Sequence, residues 1–149
     1  MRTYRRILLP IFSQGQSDIL LHKVTELAQR QQTQLLVLRV LDSGGMEPDG
    51  PAAALPGDIL SRRAPAVLKR LELQLARNNL GWAEARVVWG EPHAALSAVI
   101  RVWRPDLVVT SESYLPEEIV QGADILKVRG GGILRRLTDT LRHFSVQHA

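Results

Sequence analysis

Four short apolar runs recur along the chain, and segments with helical periodicity separate them. The runs occupy residues 5–12, 35–41, 83–89 and 107–110, and valine, leucine or isoleucine recurs in each. Runs of this length and composition are typical of strands that are buried on both faces. The repetition of strand and helix predicts an α/β fold, in which helices cover both faces of a parallel sheet. We expect right-handed crossovers between successive strands.

Two amphipathic helices are predicted between the first three runs. The first begins at Ser17 or Asp18, either of which can cap it, and extends to about residue 32. The second covers residues 58–79, where leucines at helical spacing form one apolar face. It contains Pro65, which has no amide donor and therefore predicts an irregular first turn or a later helix start.

The second half of the chain is less regular. A third helix is predicted to begin at Pro92, and a last amphipathic helix covers residues 133–144. Residues 42–57 are rich in glycine and proline and predict a long exposed loop. Residues 114–132 have no clear assignment, and residues 145–149 are long enough for a short fifth strand.

The length and composition favour a single domain that spans residues 1–149. The chain is 45% hydrophobic and 23% charged, which are ordinary values for a soluble globular protein. No apolar run approaches the ~20 residues that cross a bilayer, so we expect no membrane insertion. The absence of cysteine excludes disulfides, thiolate metal sites and a cysteine nucleophile, and it fits a cytoplasmic protein.

The charge of the chain permits attraction to phosphate-bearing partners but does not identify one. The net charge is +4, with a sequence pI of about 10.1, which is modest for a nucleic-acid-binding protein. Aromatic residues make up 5% of the chain and are not interleaved with the basic residues, so no stacking surface for single strands is visible. Nucleic acid is therefore not an expected partner.

The turn after the fourth run lies where a doubly wound sheet binds its ligand, beyond the carboxyl ends of the strands. A nucleotide-binding turn would contain glycines, which let backbone amides approach a phosphate. Here the turn contains Ser111, Ser113 and Tyr114. Three consecutive glycines, Gly130, Gly131 and Gly132, occur before the last predicted helix instead.

No catalytic residue and no metal ligand set emerges from the sequence. The four histidines, His22, His93, His143 and His148, do not have metal-ligand spacing. Neither serine of the turn has a histidine and an acid nearby in the sequence that would suggest nucleophilic catalysis. An enzyme is therefore not the first expectation.

The runs and turns together resemble a universal stress protein (UspA-like) domain. The matching pieces are residues 6–13, 35–40, 90–92 and 104–109, which occur in the expected order across nearly the whole length. The resemblance implies a five-stranded, doubly wound parallel sheet that is Rossmann-like (adenine nucleotide alpha hydrolase-like). It also implies a homodimer linked to stress survival. Many members of the family bind ATP, and others of the same fold do not.

The resemblance also indicates which residues would form the nucleotide cleft. The family's ATP-binding members have an aspartate at the end of the first strand, where this chain has Phe12. They have a valine at the end of the second strand, and Val40 preserves it. After the fourth strand these members have two glycines that are separated by two residues. Nine residues later they have a third glycine, which serine or threonine follows. Ser111 and Tyr114 stand at the early glycines, and Asp124–Ile125 at the late pair. Phenylalanine accepts no hydrogen bond and tyrosine obstructs a phosphate, so the resemblance predicts weakened ATP binding.

The sequence leaves three hypotheses open. The first is a stress-response or regulatory module with a degenerate cleft. The second is an ATP-binding member with slow ATPase or self-phosphorylation activity, in which the Gly130–Gly132 turn and the following helix hold the phosphates. The third is an accessory domain that docks on a larger protein. The candidate cleft residues are Phe12, Ser13, Val40, Ser111, Ser113, Gly130, Gly131 and Gly132, and ATP is the cofactor to test.

Overall fold

The computed structural model describes residues 4–13, 15, 17–28, 32–41, 57–111 and 117–128. These residues form an alternation of strands and helices. The elements are β1 (Arg6–Ile11), α1 (Ser17–Leu27), β2 (Gln34–Leu41), α2 (Gly57–Arg77), β3 (Glu84–Trp89), α3 (Pro92–Trp103), β4 (Leu107–Thr110), α4 (Glu117–Val120) and β5 (Asp124–Lys127). None of the described helices is both long and apolar enough to cross a membrane.

The five strands form one parallel sheet in the order β3-β2-β1-β4-β5. Ile7 of β1 is paired with Leu35 on one side and with Leu107 on the other. The strand order therefore reverses between β1 and β4, which is the topological switch point of a doubly wound sheet. The predicted α/β fold with a five-stranded parallel sheet is confirmed.

Side chains that alternate along each strand divide the core into two apolar layers. One layer lies between the sheet and the helices α1 and α2; its members include Ile7, Leu9, Leu20, Val24, Val37, Leu71, Leu75 and Val109. The other lies between the sheet and the helices α3 and α4; its members include Leu8, Leu38, Val40, Leu96, Ile100, Val108, Val120 and Ile125. Because the sheet is buried on both faces, the strand sequences are continuously apolar and do not alternate between apolar and polar residues.

The fifth strand lies in a segment that the sequence left unassigned. β5 is only four residues long, and the helix before it, α4, is also four residues long, so neither gives a periodic signal. The predicted fifth strand at residues 145–149 and the last helix at residues 133–144 lie outside the described residues, as does the predicted loop apart from Gly57.

Two helix boundaries differ from the prediction. The first helix ends at Leu27 rather than near residue 32, which is a turn residue. The second begins at Gly57 and includes Pro65, so the expectation of an irregular first turn or a later start was wrong. Pro65 is exposed, while Leu71 and Leu75 face the core, so the loss of one amide donor falls on the solvent side of the helix.

Candidate nucleotide cleft

The candidate cleft lies at the carboxyl edge of the sheet, where β1 and β4 are neighbours. Phe12 directly follows β1, Ser111 directly follows β4, and Val40 is the penultimate residue of β2. These strands are adjacent, since the order runs β2-β1-β4. The structure thus brings Phe12, Val40 and Ser111 to one edge, as the parallel fold predicts.

Phe12 occupies this edge as an apolar side chain. It is half-buried and packs against the apolar layer under α3 and α4, the layer that also contains Val40. Val40 is 2% exposed, so its side chain belongs mainly to this layer. Ser13, the next residue along the chain, is exposed. The residue that follows β1 at this edge is therefore an aromatic ring that accepts no hydrogen bond.

The end of β4 provides a hydroxyl rather than a glycine. Ser111 is half-buried, and Thr110 before it is completely buried. The remaining predicted cleft residues, Ser113, Gly130, Gly131 and Gly132, lie outside the described residues. Tyr114 does too.

The position that matches the family's late glycine pair lies far from the cleft. Asp124 and Ile125 are the first residues of β5 and are paired with Leu107 and Val108, the first residues of β4. They stand at the amino edge of the sheet, and Asp124 is 1% exposed. A four-residue strand at ~3.3 Å per residue separates them from the carboxyl edge by about 10 Å. The residue count that the resemblance implies therefore leads to the amino edge of the sheet and not to the candidate cleft.

The amino end of α3 also faces the carboxyl edge, and the chain's own carboxylate caps it. Oε1 of Glu91 accepts a hydrogen bond from the amide of His93 at 3.1 Å, and Oε2 accepts one from the amide of Ala94 at 2.7 Å. Helix amino ends attract anions because their amides lack partners, and here a carboxylate already occupies that position. From the sequence, residues 90–92 were predicted to lead into a helix that begins at Pro92, but Glu91 was not identified as its cap; an acidic residue before proline was the available signal.

Arg39 is the charged residue of β2 that sequence reasoning passed over. It is half-buried, and its Nη1 donates hydrogen bonds to the carbonyl oxygens of Val40 at 3.1 Å and Ile11 at 3.3 Å. Burial, and secondarily the charge of Arg63 on α2, lower the pKa of Arg39. Within the described ranges, no group of three histidine, aspartate or glutamate side chains is arranged to hold a metal ion.

The sheet order, the helices on both faces and the edge at the switch point define a doubly wound α/β domain. A family model described as "Universal stress protein family" matches residues 3–113. The match covers well over half of the chain, so the chain belongs to the universal stress protein family. It ends just after β4 and therefore does not include α4 and β5.

Solved structures agree with this fold. A universal stress protein family member from Burkholderia pseudomallei is 18% identical, with a TM-score of 0.60 over 85% of this chain and 97% of that chain. Universal stress protein UspA from Lactobacillus plantarum is 17% identical, with a TM-score of 0.56 over 100% and 94%. A family member from Arabidopsis thaliana, solved with AMP bound, is 12% identical, with a TM-score of 0.56 over 86% and 93%. No curated protein matches the sequence.

Proposed function

We propose that this protein is a stress-response regulatory module whose nucleotide cleft does not bind ATP in the usual family manner. Membership of the universal stress protein family supports the stress-response assignment. The observation that carries the second half of the proposal is the placement of Asp124 and Ile125 in β5, at the edge of the sheet opposite the cleft.

The adenosine end of the cleft supports the proposal through Phe12. An aspartate at this position accepts a hydrogen bond from the ligand, and a phenyl ring does not. A lost hydrogen bond of this kind costs ~1 kcal/mol or more. Val40 remains at the same edge but is 2% exposed, and an apolar side chain without a polar partner fixes neither the position nor the identity of a base.

The phosphate end supports the proposal through Ser111 and Glu91. A serine in place of glycine adds a Cβ where the family's backbone approaches a phosphate. Glu91 places a carboxylate at the amino end of α3, on the same edge of the sheet. Its charge opposes the approach of a polyphosphate.

The alternative function is ATP binding with slow hydrolysis or self-phosphorylation. It depends on the Gly130–Gly132 turn, which lies outside the described residues. The relative from Arabidopsis thaliana was solved with AMP bound, so a protein of this fold does accept an adenine nucleotide. The two functions differ in whether ATP is recognised through its adenosine.

Family membership also motivates proposals about assembly and location. We propose a single-domain homodimer in the cytoplasm, which regulates a protein partner. Light scattering at micromolar concentration tests the dimer, and a monomer under those conditions would contradict it.

The test of function is thermal unfolding with magnesium and either ATP or inorganic triphosphate at equal millimolar concentration. A ligand at ~100 times its Kd stabilises by about 2.7 kcal/mol, which raises the Tm of a domain of this size by several degrees. We expect ATP to give no greater shift than triphosphate. A clearly greater shift would contradict the proposal, and its loss in Gly131→Trp but not in the control Gly15→Trp would assign ATP binding to the glycine turn, as the alternative requires.

A further inference from the structure

The outer face of α2 contributes little to the core. Leu71 and Leu75 of this helix are almost completely buried and pack in the layer between α2 and the sheet. Leu73, which lies between them in the sequence, is 51% exposed, and Lys69 and Arg70 are exposed as well. A large apolar side chain thus stands among cations on a helix face that the fold does not bury.

A groove of about 510 Å³ runs along this face, and we call it the α2 groove. Its lining residues fall into two rows with a spacing of four, which are Ala66, Arg70 and Gln74, and Lys69, Leu73 and Arg77. Rows of this spacing are the ridges of an α-helix surface, and the groove between two ridges accepts a ridge of another helix. The shape of the α2 groove therefore favours a helical occupant.

The charge of the α2 groove is positive and is not offset within the described part of the chain. No described aspartate or glutamate lines the groove. No described residue forms an ion pair or a side-chain hydrogen bond with Lys69, Arg70 or Arg77. Three cations around an exposed leucine are complementary to a segment that carries carboxylates around an apolar side chain.

An acidic protein helix fits this surface better than a nucleic acid or a membrane does. The cations extend over only about 12 Å of helix, from Lys69 to Arg77, and the leucine among them adds nothing to the binding of phosphates. A helix that lies on a membrane inserts a broad apolar face, whereas the apolar face of α2 packs against the sheet. Charge and shape together therefore favour a helix that carries both carboxylates and an apolar residue.

We propose that the α2 groove is a docking site for an acidic amphipathic helix of a protein partner. An apolar side chain of the partner contacts Leu73 and Ala66, and its carboxylates lie beside Lys69, Arg70 and Arg77. The site deepens the proposed function and rests on it, because it names the surface and the chemistry through which the module meets the protein that it regulates.

The test is the fluorescence anisotropy of a labelled synthetic peptide that is titrated with the full chain. The peptide is an alanine-based helix of about 20 residues, with a leucine at its centre and glutamates four residues before and after that leucine. We expect saturable binding that weakens as salt is added, because the contacts of the cations are exposed and therefore screened. A peptide with glutamine in place of the glutamates, and one with glutamine in place of the leucine, should each bind more weakly.

Two variants with matched controls locate the binding. Arg70→Glu should weaken binding of the acidic peptide at least ~5-fold, because an attractive contact becomes repulsive. The control Arg101→Glu makes the same change at an exposed position of α3, on the other side of the sheet, and should bind as wild type does. Leu73→Ser should weaken binding of the peptide with leucine but not of the peptide without it. The control Val102→Ser removes a residue that is 83% exposed on α3 and should have no effect.

Three outcomes would overturn the site: no binding of the acidic peptide at low ionic strength, equal affinities of wild type and Arg70→Glu, or equal effects of Leu73→Ser and Val102→Ser. Tighter binding of a DNA duplex or of phosphatidylserine vesicles than of the peptide would also overturn it, since the partner would then belong to another class. None of these results changes the comparison of ATP with triphosphate. A greater Tm shift with ATP would contradict the proposed function and leave peptide binding as it is, so the two failures are distinguishable.

Discussion

The hydroxyl of Tyr4 donates a hydrogen bond of 2.7 Å to Oδ2 of Asp124, although the two residues are 120 positions apart. Tyr4 is 5% exposed and Asp124 is 1% exposed. Tyr4 precedes β1, in the centre of the sheet, and Asp124 begins β5, at its edge. This hydrogen bond links β5, the last described strand, to the residues that precede β1, although β4 lies between the two strands.

Tyr4→Phe is expected to lower the free energy of unfolding by about 1–3 kcal/mol, because the buried carboxylate of Asp124 loses a donor. Asp124→Asn should also destabilise the protein. The double variant should lose less than the sum of the two single losses, since both changes break the same bond. Urea unfolding of the four proteins gives this coupling energy, and strictly additive losses would show that the contact contributes nothing.

Most of the fold was predictable because four of its strands are buried on both faces. A strand such as β2 consists almost entirely of large apolar residues, and sequence alone therefore marks its position. β5 escaped prediction because it is short, begins with a charged residue and follows a single helical turn. A charged residue such as Asp124 is typical of a loop. Its burial depends on the contact with Tyr4, which is 120 positions away in the sequence and therefore gives no local signal.

The candidate site was predictable only in its location. Parallel topology places Phe12, Val40 and Ser111 at one edge once the strands are assigned. The family's glycine spacing pointed to Asp124–Ile125, and counting residues could not show that β5 begins there. The role of Arg39 was not predicted, because the sequence shows an arginine in an apolar run but not which acceptors its guanidinium group will meet in the fold.

Asp106 fixes the start of β1 beside β4. Its two carboxylate oxygens accept hydrogen bonds of 2.9 Å from the amides of Arg5 and Arg6. Asp106→Asn replaces one acceptor oxygen with a donor, so one of these amides loses its partner. We expect a loss of about 1–2 kcal/mol, seen as a lower urea midpoint with an unchanged slope. Glu72→Gln, at an exposed site on α2, is the control, and an equal loss there would contradict the assignment.

Glu91 is expected to stabilise the first turn of α3. Glu91→Ala should cost about 1 kcal/mol, the usual effect of removing a helix cap. Glu91→Gln retains one acceptor oxygen and should lose less. Hydrogen exchange provides the specific measurement, because the amides of His93 and Ala94 should lose protection while those at the end of α3 keep theirs. Uniform loss along α3 would indicate general destabilisation rather than loss of the cap.

Gly90 is required by backbone conformation and not by lack of space. Its φ is +148°, whereas a Cβ added there would lie 3.7 Å from Cβ of Ala95, an ordinary contact. Its amide donates a hydrogen bond to the carbonyl oxygen of Leu41 at 3.0 Å, which holds the turn in this conformation. Gly90→Ala should therefore lower the free energy of unfolding by about 1–3 kcal/mol. The matched control is Gly81→Ala, where φ is not positive and the nearest atom to the added Cβ is Cα of Ala76 at 3.9 Å, so little change is expected. Equal effects of the two substitutions in urea unfolding would show that the φ of Gly90 is not what makes glycine necessary.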